Sequence, residues 1–142
     1  MHLNVLKLDS ELPSPARAHP TDAGLDLYAR FPVRLEPGEY ATVDTGVAVA
    51  IPEGHAGLML PRSGLARRYG VGLVNSPGLI DAGYRGEIRV ILINHGRERC
   101  CIARGDRIAQ LVILPVALPV PRPVDRLDET ERGAQGFGSS GR

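Results

Sequence analysis

An excess of charge of either sign is missing from this chain, in which 17 Lys and Arg stand against 16 Asp and Glu for a net charge of +1. No chain-wide field gathers nucleic acid or an anionic membrane, so phosphate recognition has to come from a few placed arginines, and the expected partner is a small molecule. Cysteine is nearly absent. Cys100 and Cys101 are adjacent, which makes a mutual disulfide geometrically awkward, and neither belongs to a CxxC or Cys/His zinc spacing. Both are expected as strand residues. His2, His19, His55 and His95 are scattered without ligand spacing and read as surface or loop residues. Long apolar runs are lacking as well. Met1-His2-Leu3-Asn4-Val5 has no core of signal-peptide length, and the longest run, near Leu111 to Val120, is cut by Pro115 and Pro119. The expectation is a soluble cytoplasmic protein with no nucleic-acid or membrane partner. Helical periodicity and internal repeats are also almost wholly wanting.

What is present is a set of short β-rich runs. In a chain of 142 residues, 43% of them apolar, one domain can bury roughly two-thirds of its unfolded surface. The runs fall between Gly, Pro and Asp clusters at Leu3 to Leu8, Leu25 to Ala29, Tyr40 to Ile51, Gly57 to Leu60, Val71 to Val74, Glu87 to Asn94, Cys100 to Ala103 and Arg107 to Leu114. This spacing predicts an all-β sandwich or barrel. Val47, Val49 and Ile51 alternate with Ala48 and Ala50, giving one bulky face and one that lets something pack closely. The single helical candidate, Leu65-Ala66-Arg67-Arg68-Tyr69, follows Arg62-Ser63-Gly64, with Ser63 in the N-cap position. After Leu114 the composition turns to Pro115-Val116-Ala117-Leu118-Pro119-Val120-Pro121-Arg122-Pro123, which favours an extended arm that cannot enter a sheet interior. Beyond it, Arg132-Gly133-Ala134-Gln135-Gly136-Phe137-Gly138-Ser139-Ser140-Gly141 carries too little apolar area to order itself. It reads either as a frayed terminus or as a flexible phosphate clamp with an aromatic lid. The organisation predicted is a core over 1–114, an arm over 115–131 and a closing tail over 132–142.

Chemistry concentrates in Asn75-Ser76-Pro77-Gly78-Leu79-Ile80-Asp81-Ala82-Gly83-Tyr84-Arg85-Gly86-Glu87. Pro77 and Gly78 punctuate the backbone, Gly83 and Gly86 permit positive φ or close approach, and Leu79-Ile80 are expected to hold the loop on the core. The reading is a hairpin carrying an acid, whose N–H and C=O groups can face a flat ligand. A carboxylate there is either a turn aspartate bonded to its own backbone or, being ionised at neutral pH, a general base.

That segment closely resembles the uracil-binding segment of the trimeric deoxyuridine triphosphate nucleotidohydrolases, the dUTPases. Four further segments resemble the same family in order: Thr21-Asp22-Ala23-Gly24-Leu25-Asp26-Leu27, Pro61-Arg62-Ser63-Gly64-Leu65-Ala66, Arg104-Gly105-Asp106-Arg107-Ile108-Ala109-Gln110-Leu111, and the glycine-rich tail. The resemblance implies a jelly-roll-like, distorted β-barrel of the β-clip type with one short helix and an extended C-terminal arm. It also implies a homotrimer that hydrolyses dUTP to dUMP and pyrophosphate with Mg²⁺, each site being shared between chains. Asp81 is then the general base that activates water for attack on the α-phosphorus. Arg62, Ser63, Gly64, Gln110, Arg132, Ser139 and Ser140 bind phosphate. Asn75, Gly78, Leu79, Ile80, Tyr84, Arg89 and Phe137 bind uracil and deoxyribose, with Tyr84 under the sugar and Phe137 on the base. Asp26 holds Mg²⁺ through water, and Asp106 and Arg107 read as turn and subunit-contact residues. Competing readings are a dCTP deaminase of the same fold and a nucleotide-sensing or protein-binding relative.

Overall fold

In the computed structural model, which describes residues 1–136, the runs rich in Val, Ile and Leu form eleven strands, and every strand pairing among them is antiparallel. Two sheets carry most of the core. One orders β2 (Leu25–Tyr28), β11 (Arg107–Pro115), β6 (His55–Leu60) and β8 (Gly78–Ile80); the other orders β4 (Tyr40–Asp44), β9 (Arg89–Asn94) and β7 (Val71–Leu73). Two small sheets complete the fold, β1 (Asn4–Lys7) with β5 (Val47–Ala50) and β3 (Val33–Leu35) with β10 (Cys100–Ile102). The sheets do not close into a complete barrel, and the arrangement is the all-β, jelly-roll-like one expected from sequence.

Alternation decides what each strand contributes. In β9 Val90, Leu92 and Asn94 are buried while Arg89 is exposed, as a period of two requires. Leu27, Ala109, Leu111, Met59 and Ile80 from the larger sheet join Val43, Val90, Leu92, Val71 and Leu73 from the smaller one in a single apolar cluster. Full burial of each Leu contributes about 1.5–3 kcal/mol. Gly57 is a fitting piece, since a Cβ there would stand 2.9 Å from both Ile51 Cδ1 and Leu111 Cδ1. Asn94, fully buried, has every polar atom matched: its Nδ2 donates to Leu35 O at 3.0 Å and Glu98 O at 2.8 Å, and its Oδ1 accepts from Gly96 N at 2.8 Å.

Several expectations need correction. The run from Tyr40 to Ile51 is two strands, because Gly46 turns the chain at φ 72° and leaves no room for a Cβ beside Asp9. Helix α1 (Ser63–Tyr69) has its N-cap one residue earlier than expected, at Arg62; no side chain caps it, and Ser63 lies inside the first turn. Gly70 ends it in the left-handed region, with its N–H bonded back into the last turn. Leu79 does not hold its loop to the core: it is 64% exposed and only Ile80 points inward. Gly83 has neither a positive φ nor a close neighbour, whereas Gly86 lies directly beneath the Tyr84 ring. Cys100 and Cys101 are strand residues facing opposite ways, one buried and one exposed, and burial pushes the Cys100 thiol up.

Beyond Pro115 one backbone bond, Val116 N to Gly54 O at 2.8 Å, ties the arm to the body. Residues 117–136 form no strand or helix and are exposed throughout. Among the described residues, no helix is long and apolar enough to cross a membrane.

Candidate active site

Strand register assembles the first half of the site. Asp26 on β2 stands opposite Gln110 on β11, which stands opposite Leu60 on β6, so the three share one row across the sheet. The chain leaves β6 through Pro61 and enters α1 at once, which delivers Arg62, Ser63 and Gly64 to the end of that row. Together with Asp22 and Gly24 they line a cleft of about 410 Å³. Asp26 is the hub. Its two oxygens take Arg62 Nε and Arg107 Nη1, each at 3.2 Å, and only 14% of its side chain is exposed. Arg62 also donates to Arg107 O at 3.3 Å, and Gln110 Nε2 donates to Pro61 O at 3.0 Å. Gly24 has to be glycine here, because a Cβ would run into the side-chain oxygen of Gln110.

Arg107, expected at a subunit contact, grips Asp26 with its guanidinium within its own chain, an interaction the sequence did not reveal. The signal was available in the alternation of β11 only if the break in register between Arg107 and Ala109 had been known. Asp106 does what was expected of it, closing a turn by accepting from Ala103 N at 2.8 Å. No group of three or more His, Cys, Asp or Glu able to hold a metal ion occurs among the described residues. The cleft therefore offers no cage for a bare ion. The Asp26 carboxylate with the Gln110 amide beside it instead fits Mg²⁺ that keeps its water and leans on a ligand's phosphates.

The second half lies elsewhere. Gly78–Ile80 pair with β6, not with β9, so the anticipated hairpin sends its two arms into different sheets. Residues 81–88 are the crossing between those sheets, with Tyr84 N bonded to Asp81 O at 3.1 Å. Asp81 and Tyr84 are exposed on it, and Asn75 is exposed on the turn that precedes β8. Asn75 packs against Gly78, whose own Cβ would meet Asn75 Nδ2 at 3.2 Å and Met59 Cε at 3.0 Å. Arg89 opens β9, where it pairs across to β4 with Asp44 at 3.1 Å.

One chain does not bring the two halves together. β2 and β8 are the opposite edges of the four-stranded sheet, about 14 Å apart at ordinary strand spacing. Ile80 is also level with Gly57, three residues down β6 from the Leu60 row, and the chain continues from there toward Asp81. Nothing from Asn75 to Tyr84 lines the cleft. Arg132 is the first residue of the tail, its Nε bonded to Gln135 O at 3.0 Å. Phe137, Ser139 and Ser140 lie outside the described residues.

Comparison with known proteins agrees with this geometry. The family model described as dUTPase matches residues 10–141. The deoxyuridine 5'-triphosphate nucleotidohydrolase of Rhodococcus erythropolis is 53% identical over 143 residues, covering 99% of this chain and 87% of its own. That of Mycobacterium avium is 57% identical over 145 residues, covering 98% and 94%. Among solved structures, a G164S mutant of the Staphylococcus bacteriophage 80alpha dUTPase with dUpNHpp superposes with a TM-score of 0.92 at 34% identity, covering 99% of each chain. A phage phi11 dUTPase, described as coordinating a structural Mg(II) ion, gives a TM-score of 0.81 at 33% identity, covering 89% of this chain and 98% of its own. With the family model spanning nearly all of the sequence and relatives above half identity along its whole length, the chain belongs to the dUTPase family.

Proposed function

We propose that the chain hydrolyses dUTP to dUMP and pyrophosphate as a cytoplasmic homotrimer, with Asp81 as general base toward the water that attacks the α-phosphorus. The observation that carries the shared-site part of this reading is the division just described: phosphate-type groups at one edge of the sheet, and the acid and the tyrosine at the other. A general base has to come within about 3 Å of the proton it takes, directly or through one water. Asp81 therefore meets the cleft of a second copy, not its own. The arm supports a third contribution. Leu118, Val120 and Leu127 are 77–89% exposed on their own chain, and an extended spacer of this kind reaches a neighbour.

In that assembly Arg62, the hydroxyl of Ser63, the N–H groups of Ser63 and Gly64, and Gln110 hold the phosphates. Arg132, Ser139 and Ser140 close over the terminal phosphate, and Phe137 covers the base. Asn75 and the backbone of Gly78, Leu79 and Ile80 take the uracil edge, while Tyr84 lies under a sugar that has no 2′-hydroxyl. Asp26 holds Mg²⁺ through its water, oriented by Arg107. When bound, the ion neutralises phosphate charge that would otherwise repel the attacking water.

A deaminase of the same fold needs a catalytic glutamate in the pocket. Glu87 is the only glutamate between Asn75 and Asn94, and Arg30 and Gly46 N already occupy its carboxylate. Measuring pyrophosphate release from dUTP, dCTP, dTTP and UTP side by side tests the reading. Release from dUTP alone is the expected result, and ammonia release from dCTP would refute it.

A further inference from the structure

The return end of the Asp81–Glu87 loop is fastened to the body by an ion pair outside the substrate-contacting groups. Arg30 Nη1 donates to Glu87 Oε1 at 3.2 Å, and Gly46 N donates to the same oxygen at 2.8 Å. Both side chains are largely covered, at 26% and 13% exposure. Arg30 is itself held from three directions: Arg104 Nη1 donates to its carbonyl at 2.8 Å, Asp9 Oδ2 lies 3.5 Å from its Nε, and its backbone N–H bonds Asp44 O at 2.8 Å. From Glu87 the restraint passes to the tyrosine. Tyr84 Oη donates to Glu87 O at 3.0 Å, and the ring folds back over Gly86 so closely that no Cβ fits between them. The next residue is welded as well, Ile88 N to Val47 O at 2.8 Å and Thr45 Oγ1 to Ile88 O at 2.7 Å.

We propose that Glu87 and Arg30 are positioning residues for sugar selection: their pair fixes the backbone of residue 87, whose carbonyl holds the Tyr84 hydroxyl, and so keeps the Tyr84 ring as a rigid floor against a ribose 2′-hydroxyl. This rests on the placement of Tyr84 under the sugar. Neither residue touches the substrate; they act through the ring. A loose tyrosine still packs on deoxyribose part of the time but yields to ribose, so the loss falls on discrimination more than on turnover.

The test is the ratio of kcat/KM for dUTP to kcat/KM for UTP in the full-length protein, compared among the parent, Glu87→Gln and Arg30→Met. Glu87→Gln keeps an acceptor for Gly46 N and removes only the charge. Arg30→Met removes the pair from the other side, so one variant that fails to fold leaves the other to decide. The ratio is expected to fall about tenfold in either variant, with kcat for dUTP changed less than threefold. A merely structural role lowers both rate constants alike, because misfolded protein is missing from both, and leaves the ratio unmoved. In a Tyr84→Phe background, where the hydroxyl link is already cut, Glu87→Gln is expected to change the ratio no further. An unchanged ratio in whichever variants fold as trimers overturns the inference. Asp81→Asn and Tyr84→Ala run beside them. If those two keep parental hydrolysis and discrimination, the site assignment fails; if they lose them while Glu87→Gln and Arg30→Met do not, only the inference fails.

Discussion

Two inactive variants of this protein are expected to make an active one. Asp81→Asn removes the proposed base and is expected to cost about 10²–10⁴-fold in turnover. Arg62→Ala takes a charged donor from the phosphate cleft, a loss of about 1.5–3 kcal/mol, or roughly 10–150-fold. The sheet geometry puts these two residues at opposite edges, with β11 and β6 between β2 and β8. If the cleft of one chain works with the loop of another, co-refolding equal amounts gives sites whose cleft is intact with probability one-half and whose loop is intact with probability one-half. Roughly a quarter of all sites then carry both halves unaltered, and activity returns to about 25% of the parent from about 0.01–1% for Asp81→Asn and about 0.7–10% for Arg62→Ala alone. The assay is pyrophosphate release from dUTP after joint denaturation and dilution, with the same proteins mixed without denaturation as the control. Native mass spectrometry establishes that mixed trimers formed. Mixed trimers with no activity above the average of the two variants would refute the reasoning, since a site contained in one chain is damaged in every chain of the mixture.

Three further outcomes follow from the packing. Gly24→Ala drives a methyl group into Gln110 and is expected to break its bond to Pro61, lowering kcat/KM about tenfold with little change in melting temperature; steady-state kinetics and thermal unfolding separate the two. Asn94→Ala strands the buried Leu35 carbonyl and takes the partner from the half-covered Glu98 carbonyl and Gly96 N–H, costing about 3 kcal/mol, and a melting-point drop of about 6–12 °C checks it. Asp9, held at about pH 2 chiefly by its hydrogen bond to Arg104, stabilises the fold above its unfolded value, and that contribution is lost as pH falls from about 4 toward 2. Asp9→Asn is expected to flatten the melting temperature over that window, and an unchanged slope would exclude Asp9 as its source.

Composition made the β character legible, because runs of branched residues between Gly and Pro clusters leave no room for helices. The motif residues were legible one by one, yet their grouping was not. Asp26 and Gln110 are 84 positions apart in sequence and become neighbours through strand register, which no local pattern encodes. The division of Tyr40–Ile51 depended on Gly46 meeting Asp9, a contact between distant segments. β3 escaped notice because three residues between Pro32 and Pro37 are too few for alternation to appear. Leu79 was read as an anchor from its hydrophobicity, but adjacent residues of a strand face opposite sides and only Ile80 could go inward. The fastening of Glu87 to Arg30 joins positions with no shared pattern at all.

The exposed arm has a consequence for how this protein responds to dilution. Its leucines and valines are in water on the isolated chain, so if the arm packs on another copy as proposed, the free energy of covering them is gained on assembly, not on folding. Stability then carries a mass-action component: melting temperature would rise with protein concentration, and specific activity would fall at concentrations where copies part. A cell making little of this protein would hold less active enzyme per chain than one making much, which turns expression level into a nonlinear control on the reaction.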